Sequence, residues 1–255
     1  MTIPASPLPV AYDAPPTNPA NNGLYLVATI HDIPASQPSR LSWGVDIYPI
    51  NFDPGWGTTE SEPCATPDEP IFSGIRAQPE DPFAPLTVWG YDECDPSESI
   101  DEQKTRALQN LRLHEQGLVE SHFAAHLLAA AGTPTVMADV VTALAELEVR
   151  IGETGIQGAV IHLSQRYSTI LDAAGISVGS GPLPRTRLGN LLAFGGGYDS
   201  VLGTTMVATG QVFVWRSEIF TQDVLDVDAH LRSVIAERTI VAGTEAVIAA
   251  VEVTP

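Results

Sequence analysis

The chain has 255 residues, with 31 acidic side chains against 12 basic ones, and its formal net charge is −19 at pH 7. This length can bury a sizeable apolar core, but the acidic balance argues against a surface that binds the phosphates of DNA or RNA. No apolar run approaches the roughly 20 residues that cross a bilayer, so we expect no membrane partner and a protein made in the cytoplasm.

Residues 1–98 differ in composition from the rest of the chain. They carry 17 of the 21 prolines and 14 acidic residues, but only two basic residues, Arg40 and Arg76. This proline content nearly excludes helix.

The same region is rich in aromatic residues, which disordered segments usually lack. A proline-rich chain cannot easily enclose these rings itself, so one interpretation is an extended arm and long loops that lie across neighbouring subunits. An irregular β-rich subdomain that covers its own rings fits the composition equally well. The residues that we expect at a subunit interface are Trp43, Phe52, Trp56, Phe83, Trp89 and Tyr91.

A long helix is predicted from Ser99 to Ala131. Acidic residues fill its first turn, and Gly132 and Pro134 end it. At 1.5 Å per residue the helix would be about 50 Å long, and Gly117 near its middle is a weak point. Its apolar positions recur at steps of three and four residues and are Leu108, Leu111, Leu118, Val119, Phe123 and Leu127.

The remaining elements alternate between helix and strand. A second helix is predicted from about Thr135 to Ile151, and a third from Ser164 to Ala174. The predicted strands are Ala159–Leu163, Leu188–Phe194 and Ala208–Trp215, followed by Thr239–Val241 and Ala246–Val253 near the end.

The sequence offers no metal site and no cofactor motif. His122 and His126 lie four residues apart on the long helix, but His114 and Glu115 lack the second histidine of a zinc-protease helix. The carboxylates around the helix start lack the spacing of a calcium loop. The glycine run at residues 195–197 lacks the following lysine of a phosphate-binding loop.

A catalytic role is not expected either. Glu115 lies close to the apolar stripe and needs a buried partner, for which Arg106, Arg112 and Arg150 are candidates. No nucleophile, base and orienting residue come together, so we expect a protein that is not an enzyme, with no catalytic residues.

The order of these parts resembles the capsid fold of tailed phages, which encapsulin shells share. In that fold an arm and an extended loop precede a long spine helix, an axial domain follows, and peripheral strands return near the C-terminus. The resemblance rests on DEQKTRALQNLRLHEQGLVESHFAAHLL (101–128), AVIHLSQRYSTILDAAGI (159–176), RLGNLLAFGGGYDS (187–200) and AERTIVAGTEAVIAAVEV (236–253). VWGYDECD (88–95) with the later GYDS looks most like virion proteins of actinobacterial phages.

The resemblance implies an α+β shell fold of the Hong Kong 97 type. It assigns residues 1–40 to an N-terminal arm, 41–98 to the extended loop and 99–131 to the spine helix. Residues 132–235 become the axial domain with peripheral-domain strands, and 236–255 the C-terminal peripheral strands.

The implied function is that of a major capsid protein, which assembles with itself as hexamers and pentamers into the icosahedral head shell of the virion. The shell would enclose DNA without sequence-specific binding. The loop contains no lysine for the covalent cross-link that some family members form. The resemblance therefore implies non-covalent contacts, with a decoration protein as a further partner. Alternatives are a minor head or tail structural protein and an encapsulin-like nanocompartment shell.

Overall fold

The computed structural model describes residues 14–34, 38–58, 74–76, 78–79, 81–178 and 183–254. Within these ranges the chain forms two five-stranded sheets, and one long helix packs against both. Three shorter helices accompany it. This is the mixed helix and strand class that the sequence predicts.

The described chain contains four α-helices, two short 3-10 helices and ten strands. The helices are α1 Leu24–Val27, α2 Ile100–Ala131, α3 Val140–Thr154 and α4 Tyr167–Ala173, with short 3-10 helices at Pro38–Trp43 and Ile50–Phe52. The strands are β1 Thr29–Ile33, β2 Leu86–Cys94, β3 Thr135–Met137, β4 Val160–Ser164, β5 Leu191–Gly195, β6 Thr205–Thr209, β7 Val212–Ser217, β8 Phe220–Asp226, β9 Leu231–Thr244 and β10 Val247–Val253.

The first sheet has the strand order β1-β7-β9-β2, and β8 also pairs with β9. β7 and β8 pair with successive parts of the long β9, so these three strands form one extended hairpin. β2 pairs with the opposite edge of β9, with Leu86 opposite Ile240 and Cys94 opposite Arg232. Residues 41–98, assigned to an extended loop region, thus contain the paired strand β2, which alternates between buried and exposed residues.

The second sheet has the order β3-β10-β6-β4-β5. All residues of β4 and β6 are buried, as in strands that are covered on both faces. Ile161 and Leu163 of β4 face the apolar cluster that α3 and α4 complete, whereas Val160 points to the cluster that contains α2. Because side chains alternate between the two faces of a strand, β4 contributes to an apolar core on each side of the second sheet.

α2 confirms the predicted long helix almost to its ends. Seven buried positions follow each other at strict four-residue steps, and four residues turn about 40° further than one full turn. The buried stripe therefore winds around the helix, from the first sheet to the second. This winding leaves Leu108 and Leu118 exposed, so their predicted place on the apolar stripe is wrong. The seven positions are Gln103, Ala107, Leu111, Glu115, Val119, Phe123 and Leu127.

The second and third helices begin later than predicted. Thr135 opens the short strand β3, which pairs in parallel with β10. α3 starts only after Asp139, whose carboxylate accepts hydrogen bonds from the N–H groups of Val141 and Thr142 at 2.8 and 2.9 Å. This capping box, and not the predicted position at about Thr135, marks the start of the second helix. Ser164 ends β4 rather than beginning α4.

One predicted strand assignment overlooks a change of sheet. Residues 208–215, predicted as one strand, are divided at Gly210 between β6 in the second sheet and β7 in the first. The two strands predicted near the C-terminus are separate strands in the structure, since Thr239–Val241 lies within β9 of the first sheet and Ala246–Val253 corresponds to β10 of the second. An apolar pattern in the sequence indicates that a residue is buried, but it does not indicate to which of the two sheets the residue belongs. The division into arm, loop, axial and peripheral parts stays a prediction.

In the described part of the chain, no helix combines the length and the apolar character that a membrane span requires.

Candidate subunit interface

Four of the six predicted interface residues expose their rings to solvent in the single chain. Trp43 is 89% exposed at the end of a short 3-10 helix, and Trp56 is 82% exposed four residues after the next one. Trp89 and Tyr91 project from the exposed side of β2, at 59% and 41%. Such large exposed rings are rare on proteins that act alone.

Phe52 and Phe83 are instead half-buried against their own chain. The backbone of Phe83 forms an antiparallel bridge with Val45, and its ring packs 4.5 Å from the imidazole of His126. The ring of Phe52 lies against Gly210, where the two sheets meet. These two rings pack the segments around Phe52 and Phe83 against the rest of the subunit. The interface role of the six predicted aromatic residues stays a prediction.

Residues 86–91 of β2 line one side of a groove of about 910 Å³ between β2 and α2. Leu113 and Leu118 form part of the opposite wall, and both are exposed. The strand approaches the helix closely at Gly90, where a Cβ atom would overlap the carbonyl oxygen of Ala107. The sequence interpretation missed this wall, although the four-residue spacing of buried positions would have placed Leu118 outside.

A second exposed apolar surface lies on the β8–β9 hairpin. All seven residues of β8 are exposed, including Phe220 and Val224 at 55% and 58%, and Val227 follows at 77%. Within the described residues β8 pairs only with β9, so its other edge is open. The sequence interpretation missed β8 entirely, because its residues alternate irregularly between polar and apolar.

The described part of the predicted arm lies on its own subunit. Gln109 donates a hydrogen bond to the carbonyl oxygen of Thr17 at 2.7 Å, and Arg112 donates to the side chain of Asn18 at 2.7 Å. Further along, β1 pairs in parallel with β7. Residues 17–33 of the predicted arm thus contact their own subunit, and the expectation that the arm reaches over neighbouring subunits stays a prediction. Residues 1–13 lie outside the described ranges.

A buried carboxylate on α2 joins three parts of the chain. Glu120 accepts hydrogen bonds from the N–H groups of Leu24 and Gly197, both at 2.9 Å, and from the side chain of Gln116 at 2.8 Å. Burial raises the pKa of Glu120 above its usual value, and these three donors oppose that rise. Gly195 ends β5, and the turn at Gly196 and Gly197 that follows is thus held against α2.

Glu115 also finds its partner on a strand. Its carboxylate accepts two hydrogen bonds from Arg238, at 2.5 and 2.7 Å, and one from the hydroxyl of Tyr25 at 2.7 Å. The predicted partners Arg106, Arg112 and Arg150 are wrong, because α2 crosses the first sheet where Arg238 lies. Burial, followed by the charge of Glu115, raises the pKa of Tyr25, so this phenol stays protonated.

The carboxylates around the start of α2 form ion pairs. Arg106 contacts Asp92 at 2.9 Å and Glu98 at 2.5 Å, and His230 lies 3.3 Å from Asp95. In the described ranges, no three histidine, cysteine or acidic side chains are arranged to hold a metal ion. The ion pairs of Arg106 join the start of α2 to β2, and the contact of Asp95 with His230 joins the end of β2 to the turn between β8 and β9.

Comparison with known proteins gives matches only at the level of structure. No protein-family model matches the chain, and no curated protein sequence matches it significantly. The mature capsid of bacteriophage PhiM1 matches 98% of this chain and 92% of its own, with a TM-score of 0.55 and 11% identity. The fold is that of a phage capsid shell.

Two further structures with this shell fold come from different sources. Microbacterium phage Oxtober96 matches 99% of this chain and 96% of its own, with a TM-score of 0.53 and 13% identity. The SrpI encapsulin of Synechococcus elongatus matches 97% of this chain and 92% of its own, with a TM-score of 0.51 and 11% identity. Similarity at these identities establishes the shell fold, and it covers nearly the whole of each chain.

Proposed function

We propose that the chain is a major capsid protein, which assembles with copies of itself into the head shell of a tailed phage. The observation that carries this proposal is the exposure of Trp43 and Trp56 on a subunit with the shell fold. An indole buries 150–250 Å² at an interface, which corresponds to about 4–6 kcal/mol per ring before the costs of association.

The groove between α2 and β2 supports the same proposal. Its exposed side chains Leu113 and Leu118 form an apolar wall that a neighbouring subunit would cover. The open edge of β8 adds a second such surface. Aromatic residues on the loop of one subunit and apolar walls on another are complementary, as self-assembly into hexamers and pentamers requires.

The role is structural, without an enzymatic step, and the protein acts in the virion after synthesis in the bacterial cytoplasm. The net charge of −19 supports a shell that encloses DNA without binding its sequence, because an acidic wall repels phosphates. A decoration protein remains a further proposed partner. A basic inner face in an assembled particle would contradict the proposed repulsion.

The experiment is sedimentation of the purified chain beside the double variant Trp43→Ala/Trp56→Ala. We expect the wild-type chain to sediment as capsomers or shells and the variant as single subunits that are folded and still unfold cooperatively in urea. Val149→Ala, at an exposed position on α3, is the control for loss of any exposed apolar side chain. A wild-type chain that stays monomeric, or a variant that assembles normally, would contradict the proposal.

A second candidate is an encapsulin-like nanocompartment, which the SrpI match favours because its TM-score is close to that of the phage capsids. Purified particles distinguish the two functions. DNA inside the particle supports the phage shell, and a co-purifying enzyme supports the nanocompartment. If virions contain only a few copies of the chain, judged by band intensity, it is a minor head or tail protein.

A further inference from the structure

The two sheets are joined by a short two-stranded ribbon. One strand of the ribbon is Gly210–Gln211, between β6 and β7, and the other is Glu245–Ala246, between β9 and β10. Gly210 donates its N–H to the carbonyl oxygen of Ala246, and Glu245 donates to that of Gln211, both at 2.9 Å. A register shift in the adjacent pairing of β10 with β6 marks the change of direction.

A segment of the proline-rich loop is clamped onto this ribbon. The side-chain amide of Asn51 donates hydrogen bonds to both carboxylate oxygens of Glu245, each at 2.8 Å, and the backbone N–H of Asn51 donates to one of them at 2.8 Å. Glu245 is only 9% exposed, so its charge needs these donors. Asn51 and Glu245 are 194 positions apart in the sequence.

Two glycines let the loop approach the ribbon closely. A Cβ atom on Gly210 would lie 2.7 Å from the ring of Phe52. A Cβ atom on Gly243 would lie 2.7 Å from Ile47 and 2.8 Å from Phe83. Contacts of Ile47 and Phe52, on either side of Asn51, hold this segment, the loop base, against the ribbon that forms the junction of the two sheets. The hydrogen bonds to Glu245 fix the position of Asn51 within it.

We propose that the Asn51–Glu245 contact is a clamp that couples the loop base to the junction of the two sheets and thereby positions the interface tryptophans. Trp43 and Trp56 flank Asn51 in the sequence and remain exposed while the clamp is closed. Releasing the clamp frees both the loop and the ribbon. The clamp belongs to the single subunit, and only its effect on assembly rests on the proposed function.

The test places a second carboxylate opposite Glu245. Asn51→Asp replaces a donor by a repelling charge, and Glu245→Gln in the same chain restores a donor–acceptor pair in the opposite sense. Asn51→Ala is the milder variant if Asn51→Asp does not fold. Gln222→Glu adds the same charge on exposed β8 and is the matched control.

Hydrogen exchange of the unassembled subunit gives the first readout. We expect Asn51→Asp to raise the exchange rates of the amides of Asn51, Gly210 and Glu245 about tenfold or more, and the double variant to restore them. Unchanged rates, or an increase confined to the loop, would overturn the coupling. An increase in exchange rates that Glu245→Gln fails to reverse would also overturn the coupling. Such an increase would point to a general loss of packing and not to the lost hydrogen bonds.

Assembly gives the second readout. The yield of particles should fall in Asn51→Asp and return in the double variant, while Gln222→Glu assembles like the wild-type chain. If exchange responds as expected but particle yield does not, the clamp does not position the tryptophans. If the wild-type chain forms no particles, the proposed function fails, while hydrogen exchange still decides whether the clamp exists.

Discussion

A buried histidine makes the stability of the subunit depend on pH. His162 of β4 is fully buried, and its ring nitrogens lie 2.9 Å from the hydroxyl of Tyr198 and 3.0 Å from that of Thr209. Thr209 donates to the carbonyl oxygen of Gly210 at 3.1 Å, so its oxygen accepts from Nε2–H of the histidine. Nδ1 then accepts from the hydroxyl of Tyr198, and this second bond requires a neutral ring.

Burial lowers the pKa of His162 from 6.5 to about 3. A histidine with a lowered folded pKa favours the folded state above pH 6.5, and this contribution is lost as pH falls towards the folded pKa. Between about pH 7.5 and 5.5 the unfolded chain takes up this proton and the folded chain does not. One pH unit below 6.5 then costs about 1.4 kcal/mol of unfolding free energy.

Urea unfolding of the monomeric chain at these two pH values measures the effect. In His162→Gln the side chain can still hydrogen-bond both hydroxyls but takes up no proton. The variant should therefore lose about 1.4 kcal/mol less than the wild-type chain between the two pH values. His122→Gln, at an exposed position of α2, is the control and should follow the wild-type chain. Equal losses in the wild-type chain and His162→Gln would refute the account of His162.

Three further predictions concern stability, each measured by urea unfolding. Gly90→Ala should destabilise the subunit by more than about 3 kcal/mol, because the added Cβ would overlap the backbone of α2. Gly117→Ala should instead stabilise the subunit by about 0.5–1 kcal/mol, because its Cβ would meet nothing within 4 Å. Glu120→Ala should cost about 2–4 kcal/mol by leaving two buried N–H groups without acceptors, and Glu120→Gln should cost less. Asp139→Ala should lower the urea midpoint, whereas Ser99→Ala should not, because only Asp139 makes side-chain capping bonds. The reverse order within any pair would contradict the contact on which it rests.

The long helix and the buried strand β4 could be predicted because their signals are local. Acidic residues in the first turn of α2 and glycine at its end mark its limits, and Ile161 and Leu163 belong to a short apolar run. The start of α3 was also marked locally, by Asp139 and Thr142. The prediction of a start at about Thr135 overlooked this pair, and Thr135 instead opens the strand β3.

The change of sheet at Gly210 and the pairing of β2 with β9 could not be predicted in the same way. Both depend on partners far apart in sequence: Leu86 lies opposite Ile240, and Glu245 binds Asn51. The apolar pattern records that Val88 is buried but not what buries it. Arg238 was missed as the partner of Glu115 for the same reason.

The candidate interface was predictable in part. Proline and aromatic content left open whether the rings before β2 are covered by their own chain, and Trp43 and Trp56 prove to be exposed in the single chain. Composition could not distinguish these exposed tryptophans from the half-buried Phe52 and Phe83. Phe52 is covered because its ring packs against Gly210, and Phe83 because its backbone forms a bridge with Val45. The exposed wall at Leu118 becomes predictable once the buried positions of α2 are seen to recur at four-residue steps.

Electron microscopy of the purified wild-type chain tests the central claim most directly. The account predicts closed shells, tubes or capsomers in which Trp43 and Trp56 are covered by neighbouring subunits. Monodisperse single subunits at every concentration, with both rings still open to solvent, would contradict it.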